Sequence, residues 1–175
     1  MPTIRPARLT DIPAITAIYR PAVLTGTASF ELDPPDDAEM QKRMQAVMDA
    51  GFPYLVAERD GKLLGYGYLG AYRPRAAYRW SVENSIYVAP DAQRGGTGRL
   101  LLQALIDEAT RRGVRQIVAV IGDSQSHSSI GLHTALGFSH SGVVRSVGFK
   151  HGRWLDQVIM QRMIGAGDQT VPEHG

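Results

Sequence analysis

The stretch VAPDAQRGGTGRLLL, residues 88 to 102, constrains the fold more than any other part of the chain. A strand-like apolar run meets a turn at Ala89-Pro90-Asp91, and Gly95, Gly96 and Gly98 then stand directly before a leucine-rich helix. A helix that starts here presents unpaired backbone N–H groups and the positive end of a dipole, about half an elementary charge. The glycines let a bound group approach the main chain, and Arg94 and Arg99 flank it. Such a place suits an anion, a pyrophosphate above all. No lysine with serine or threonine follows the last glycine, so the loop is not a P-loop, and GGTGRL lacks the third glycine of a dinucleotide fingerprint. From these residues alone a plain tight turn entering a helix stays open.

Around this loop the pattern predicts one α/β domain of the α+β type over residues 1–164. A length of 175 residues gives one sizeable core but is short for two. A strand near Thr3 to Pro6 precedes a helix capped by Thr10 or Asp11, which Pro21 should end or kink. A loop, TGTASFELDPPDD, leads to a second helix from about Asp36, where Met40, Met44 and Met48 form a packing stripe before Gly51. Asp60-Gly61 between two apolar runs marks a hairpin. SVENSIYV reads as a strand, residues 98 to 112 as a helix, RQIVAVI as a buried strand, and GDSQSHSSIGLHTALGF as loop and short helix. A strand, a turn at Lys150 to Arg153 and a last strand follow. The strands are expected to form an antiparallel meander with helices packed over it. Residues 165–175, GAGDQTVPEHG, are polar and aperiodic, and we expect a disordered tail there.

Composition narrows the function classes. The absence of cysteine excludes disulfides and thiolate metal sites. The first fifteen residues lack the apolar core of a signal peptide, and no apolar run approaches the roughly 18 residues of a membrane span. A soluble cytoplasmic protein is expected, without a membrane partner. The net charge is +2 with acidic residues between the basic ones, and Arg111, Arg112 and Arg115 suit a helix C-terminus better than a nucleic-acid surface. No nucleic-acid partner is expected.

Gln93-Arg94-Gly95-Gly96-Thr97-Gly98 resembles the Q/R-x-x-G-x-G/A signature of the GNAT acyltransferase superfamily. The segments IYRPAVLTGTASFEL, YRPRAAYRWSVENSIYV, SSIGLHTALGF and VGFKHGRWLD resemble the phosphinothricin and methionine sulfoximine N-acetyltransferases, and the similarity runs from about residue 4 to 163. The resemblance implies the GNAT fold, a mixed and mostly antiparallel central sheet with helices on both faces. It also implies acetyl-CoA as cosubstrate, no metal, a small-molecule amine substrate of the amino-acid type, and a homodimer formed near Trp154. Two stretches depart from the pattern. GDSQSHSS places Ser126 where the family carries an asparagine that contacts the pantetheine arm, leaving that contact to Ser126 or the neighbouring Gln125, and Tyr19-Arg20-Pro21 stands where tyrosine and asparagine are usual.

Transfer to an amine needs a route for the ammonium proton. Alternation along WSVENSIYV puts Ser81, Glu83, Ser85 and Tyr87 on one face, and a carboxylate in mid-strand needs solvent or a partner. The residues alone allow an ordinary ion-paired glutamate. The resemblance implies Glu83 as general base, directly or through water. His133, on the short helix where many GNAT enzymes carry a proton-donating tyrosine, is implied as its partner in proton transfer, although a histidine in an apolar pattern also reads as packing. Which of the two deprotonates the amine stays open. By the same resemblance the main chain of Ile86, Tyr87 and Val88 pairs with the pantetheine amides, and an N–H near Val88 takes the oxyanion. Arg94, Gly95, Gly96, Thr97, Gly98 and Arg99 hold the pyrophosphate, with Ser126 and Ser129 also contacting the cosubstrate. The acceptor falls to Phe30, Glu31, Arg73, Arg75, Tyr78, Glu83, Asn84, Ser85, Lys150 and Arg153. Guanidinium forks suit carboxylate, phosphinate or sulfone oxygens, and Glu31 suits an ammonium. Two other readings stay open: another amine, such as an amino acid, a polyamine or a protein N-terminus, or a coenzyme A-binding regulatory module without turnover.

Overall fold

The computed structural model describes residues 1 to 172. Seven strands, β1 (Thr3–Pro6), β2 (Tyr54–Arg59), β3 (Lys62–Ala71), β4 (Ser81–Val88), β5 (Gln116–Gly122), β6 (Ser139–Lys150) and β7 (Arg153–Met163), form one sheet in the order β1-β2-β3-β4-β5-β7-β6. All neighbours are antiparallel except β4 and β5. Four helices, α1 (Ile12–Leu24), α2 (Asp37–Asp49), α3 (Thr97–Arg111) and α4 (His127–Ala135), complete the domain. None is long and apolar enough to cross a membrane.

Local chemistry accounts for most boundaries. Asp60 and Gly61 both take positive φ between β2 and β3, as do His151 and Gly152 between β6 and β7, which is the geometry of two-residue hairpins. The Asp36 carboxylate caps α2 by accepting from the Glu39 N–H at 2.8 Å. Gly113, at φ 73°, ends α3. Pro21 neither ends α1 nor leaves it, as the helix continues to Leu24. The proline lies in the last turn, where its missing N–H removes a single bond, and its carbonyl closes the helix by accepting from Thr25 and Gly26 at 3.0 Å each. After β7 the chain forms turns: Gly167 N–H bonds to the Ile164 carbonyl at 3.0 Å, and Arg115 donates to Thr170 Oγ1 at 3.0 Å. The remainder of the expected tail, residues 173 to 175, lies outside the described residues.

Each face of the sheet carries its own core. Leu101, Leu102, Leu105, Ile106 and Ala109 of α3 form a helical stripe packed on Leu69, Val82, Ile117 and Val158. On the other face, Ile12, Ile15 and Val23 of α1 and Met40 and Met44 of α2 pack on Tyr54, Val56 and Tyr66. Glycines at 65 and 67 let α3 come close, since a Cβ there would lie 3.2 and 3.1 Å from Leu101 and Leu105 side-chain carbons. The parallel register of β4 with β5 ends at Asn84↔Ala119, although both strands continue. Beyond that pair the sheet opens into a cleft.

Candidate active site

Alternation along β4 sorts the site into two sides. On the α1/α2 side, β3 and β4 set Tyr66 opposite Tyr87, Tyr68 opposite Ser85 and Gly70 opposite Glu83. The first pair closes the core, with ring centroids 5.2 Å apart, and Tyr54 stacks on Tyr68 at 5.0 Å. The last pair is open: Gly70 has a φ that any residue accepts, and a Cβ there would meet no atom within 4 Å. Glu83 is therefore half-buried beside free space. Burial pushes its carboxyl above the usual range, and Arg73 only partly offsets that. A carboxyl so placed is chemically suited to accept a proton.

Main-chain groups supply the next part. Ala89 N–H bonds to the Leu64 carbonyl on β3 at 2.9 Å, so strand alternation turns the N–H and C=O groups of Ile86 and Val88 the other way, into the cleft. With no facing strand after Asn84, these groups are available to an extended ligand. The glycine loop adjoins them. Gly96 takes φ 81° immediately before α3, Thr97 is buried, and Arg94, Gly95 and Arg99 are exposed around the helix start. Gly98 is needed for packing as well, because a Cβ would lie 3.2 Å from Leu132 Cδ2. A pantetheine arm and a pyrophosphate fit this donor set: free strand groups, a helix N-terminus and two exposed guanidinium forks.

His133 lies across the sheet from Glu83. It is buried on α4, its Nδ1 is 2.8 Å from the Ser129 carbonyl and its Nε2 is 3.0 Å from Asn84 Nδ2. Phe138 packs edge-on against the ring at 4.9 Å. Burial lowers its pKa, against a raising effect of the Ser129 carbonyl. Asn84, expected on the acceptor, instead faces α4, because it alternates with Glu83 along the strand. Its Oδ1 is buried and without a partner among the described residues. An orphan acceptor costs about 1–3 kcal/mol, less than charging a buried ring without a counter-ion. Ser126 sits before α4 without capping it through its side chain, and Ser129 enters through its carbonyl.

The remaining expected acceptor residues divide. Arg73 lies over the Tyr72 ring at 4.8 Å, Tyr78 packs edge-on against that ring, and Arg75 is exposed in the same turn, which sets the Arg73 cation near Glu83. Glu31 receives the Tyr19 hydroxyl at 2.8 Å and Arg43 at 2.6 Å, both on Oε1. Burial works against its charge, but those two donors hold its pKa low. Lys150 is committed elsewhere: it is 4% exposed and donates to the Ser29 and Ala22 carbonyls at 2.7 and 3.4 Å, so it fastens the loop after α1 and has no open path to a ligand. Arg153 pairs with the Asp123 carboxylate. Phe30 plugs that loop onto the sheet, where a Cβ on Gly122 would lie 2.9 Å from its ring and one on Gly148 2.6 Å away. Tyr19, Ser29, Arg43, Tyr68 and Asp123 support the site and escaped sequence reasoning. Their partners are distant in the chain, and only the tyrosine density of YLVAERDGKLLGYGYL hinted at them.

Comparison with known proteins identifies the family. The family described as Acetyltransferase (GNAT) domain matches residues 4–159. The chain is 58% identical over 171 residues, 98% of its length and 87% of the relative's, to a phosphinothricin N-acetyltransferase of Alcaligenes faecalis. It is 44% identical over 160 residues, 91% of this chain and 92% of the other, to an L-methionine sulfoximine/L-methionine sulfone acetyltransferase of Pseudomonas aeruginosa. Among solved structures, the GNAT superfamily phosphinothricin acetyltransferase of Sinorhizobium meliloti in complex with AcCoA superposes with a TM-score of 0.96 at 47% identity, covering 99% of this chain and 94% of that one.

Proposed function

The chain belongs to the GNAT acetyltransferase family, and from that premise we propose that it moves an acetyl group from acetyl-CoA to the amine of a small amino-acid-like acceptor of the phosphinothricin, methionine sulfoximine or methionine sulfone type. The observation that carries this reading is the placement of Glu83, a half-buried carboxyl with a raised pKa, beside open space at the mouth of the β4–β5 cleft. When bound, acetyl-CoA supplies an activated thioester. The main chain of Ile86 and Val88 and the loop from Arg94 to Arg99 hold it. The Val88 N–H stabilises negative charge that develops on the acyl oxygen. Glu83 takes the ammonium proton, directly or through one water, and frees the amine's lone pair. Arg73 and Arg75 bind the acceptor's acidic oxygens, and their positive charge disfavours a polyamine.

The β6–β7 hairpin exposes Val144, Val147, Phe149 and Trp154, with Phe149 and Trp154 paired across the strands at 5.3 Å. An apolar group of this kind on a charged surface supports a homodimer through this hairpin. We propose a cytoplasmic location for the enzyme, together with its acyl donor.

Thiol release from acetyl-CoA tests the proposal with phosphinothricin, methionine sulfoximine, methionine sulfone, ordinary amino acids, spermidine and a peptide as acceptors. Turnover on the first three is expected, and Glu83→Gln should abolish most of it while coenzyme A still binds. Binding of acetyl-CoA with turnover on none of the amines sinks the reading.

A further inference from the structure

Asn84 is 6% exposed and is the last residue of β4 in register with β5. Its Nδ2 meets His133 Nε2 at 3.0 Å, while the ring's Nδ1 meets the Ser129 carbonyl at 2.8 Å. A carbonyl oxygen can only accept, so Nδ1 carries a hydrogen. An amide N–H can only donate, so Nε2 is bare. Together the two bonds admit one state, a neutral ring with its proton on Nδ1. Turning the carboxamide over would set Oδ1 on Nε2 and require a second ring proton, hence a charge on a ring 4% exposed. Burial acts against that charge, and the Ser129 carbonyl is the one group that favours it. The preference leaves a trace: Asn84 Oδ1 is a buried acceptor without a partner.

We propose that Asn84 is a positioning residue that locks His133 in the Nδ1–H tautomer, so that the ring offers Nε2 as an acceptor and cannot act as an acid from its resting state. This rests on the transferase reading above. A proton can reach Nε2 only as the Asn84 amide turns over: the Nδ2–H···Nε2 bond breaks, the ring lone pair takes the proton, and the orphaned Oδ1 accepts the new Nε2–H. His133 and Asn84 thus change state as a pair. The ring's proton capacity is set from the strand that also carries Glu83.

The test uses the full chain labelled with 15N-histidine, the His133 signals being assigned by their loss in His133→Gln. At neutral pH the wild type should show a protonated Nδ1 and a bare Nε2. Asn84→Asp, which offers only acceptors, should protonate both nitrogens and raise the ring's titration by about one pH unit or more, as a carboxylate in contact does. In the same variant kcat should fall with KM for acetyl-CoA little changed. A wild-type spectrum with hydrogen on Nε2, or mixed tautomers, overturns the proposal. So does an Asn84→Asp variant with unchanged ring signals and unchanged kcat. If Asn84→Asp does not fold, the wild-type spectrum alone decides the tautomer. A wild type that acetylates no amine removes the transferase reading, while the spectrum still judges the tautomer.

Discussion

In its proposed role as base, Glu83 acts only while it is ionised, and its burial moves that condition upward in pH. A raised pKa means the protonated, inactive form persists above the ordinary carboxylate range, so kcat/KM should fall as the solution is acidified through a limb displaced toward neutrality. Arg73 opposes burial at this carboxyl, and Arg73→Gln should therefore shift the limb further up while also raising KM for the acceptor. Glu83→Gln should lower kcat by about 10²–10⁴-fold, the usual contribution of a positioned base. Gly70 is the complementary position. Nothing in the fold demands glycine there, and its open space faces Glu83 across the strands. Gly70→Val suits a strand and should fold normally, yet it should reduce kcat/KM for methionine sulfone by roughly tenfold or more relative to glycine as acceptor, the scale of a few methyl groups in a pocket. Equal losses on both acceptors would remove Gly70 from the acceptor pocket.

Elements set by local chemistry were legible, and those set by distant contacts were not. Asp60-Gly61 and the turn before Arg153 announce hairpins because positive φ at both central residues favours few residue types. The glycine loop, the start of α3 and the alternation of β4 are equally local. By contrast, nothing in the chain between α4 and β7 reveals that β7 inserts between β5 and β6, or that β4 and β5 part after Asn84. Asn84 and His133 are 49 residues apart, so their bond had no signature in either segment. Lys150 shows in sequence only as a charge, and the two carbonyls it bonds, more than a hundred residues earlier, have no signature there. The loop after α1 gives a direct test at this scale. A methyl group at Gly122 overlaps the Thr27 carbonyl and crowds Phe30, so Gly122→Ala should destabilise the protein by about 1–3 kcal/mol in urea denaturation and raise KM for the acceptor.

At the scale of the whole molecule, the exposed pair Phe149 and Trp154 is where the proposed homodimer can be tested. Trp154→Asp should convert a dimer to a monomer in light scattering, and a wild type that is monomeric at micromolar concentration would discard the hairpin as an interface. The sheet itself has a further consequence. Because Glu83 and Asn84 are neighbours that point to opposite sides of β4, the strand serves as a partition wall between two workshops. In the proposed reaction, changes confined to Tyr68, Gly70, Glu83 and Ser85 would remodel the side that receives the amine, while Asn84 and the main chain of Ile86 and Val88 would keep the side that receives the thioester. A lineage, or an engineer, can therefore retune what is acetylated without renegotiating what supplies the acetyl group.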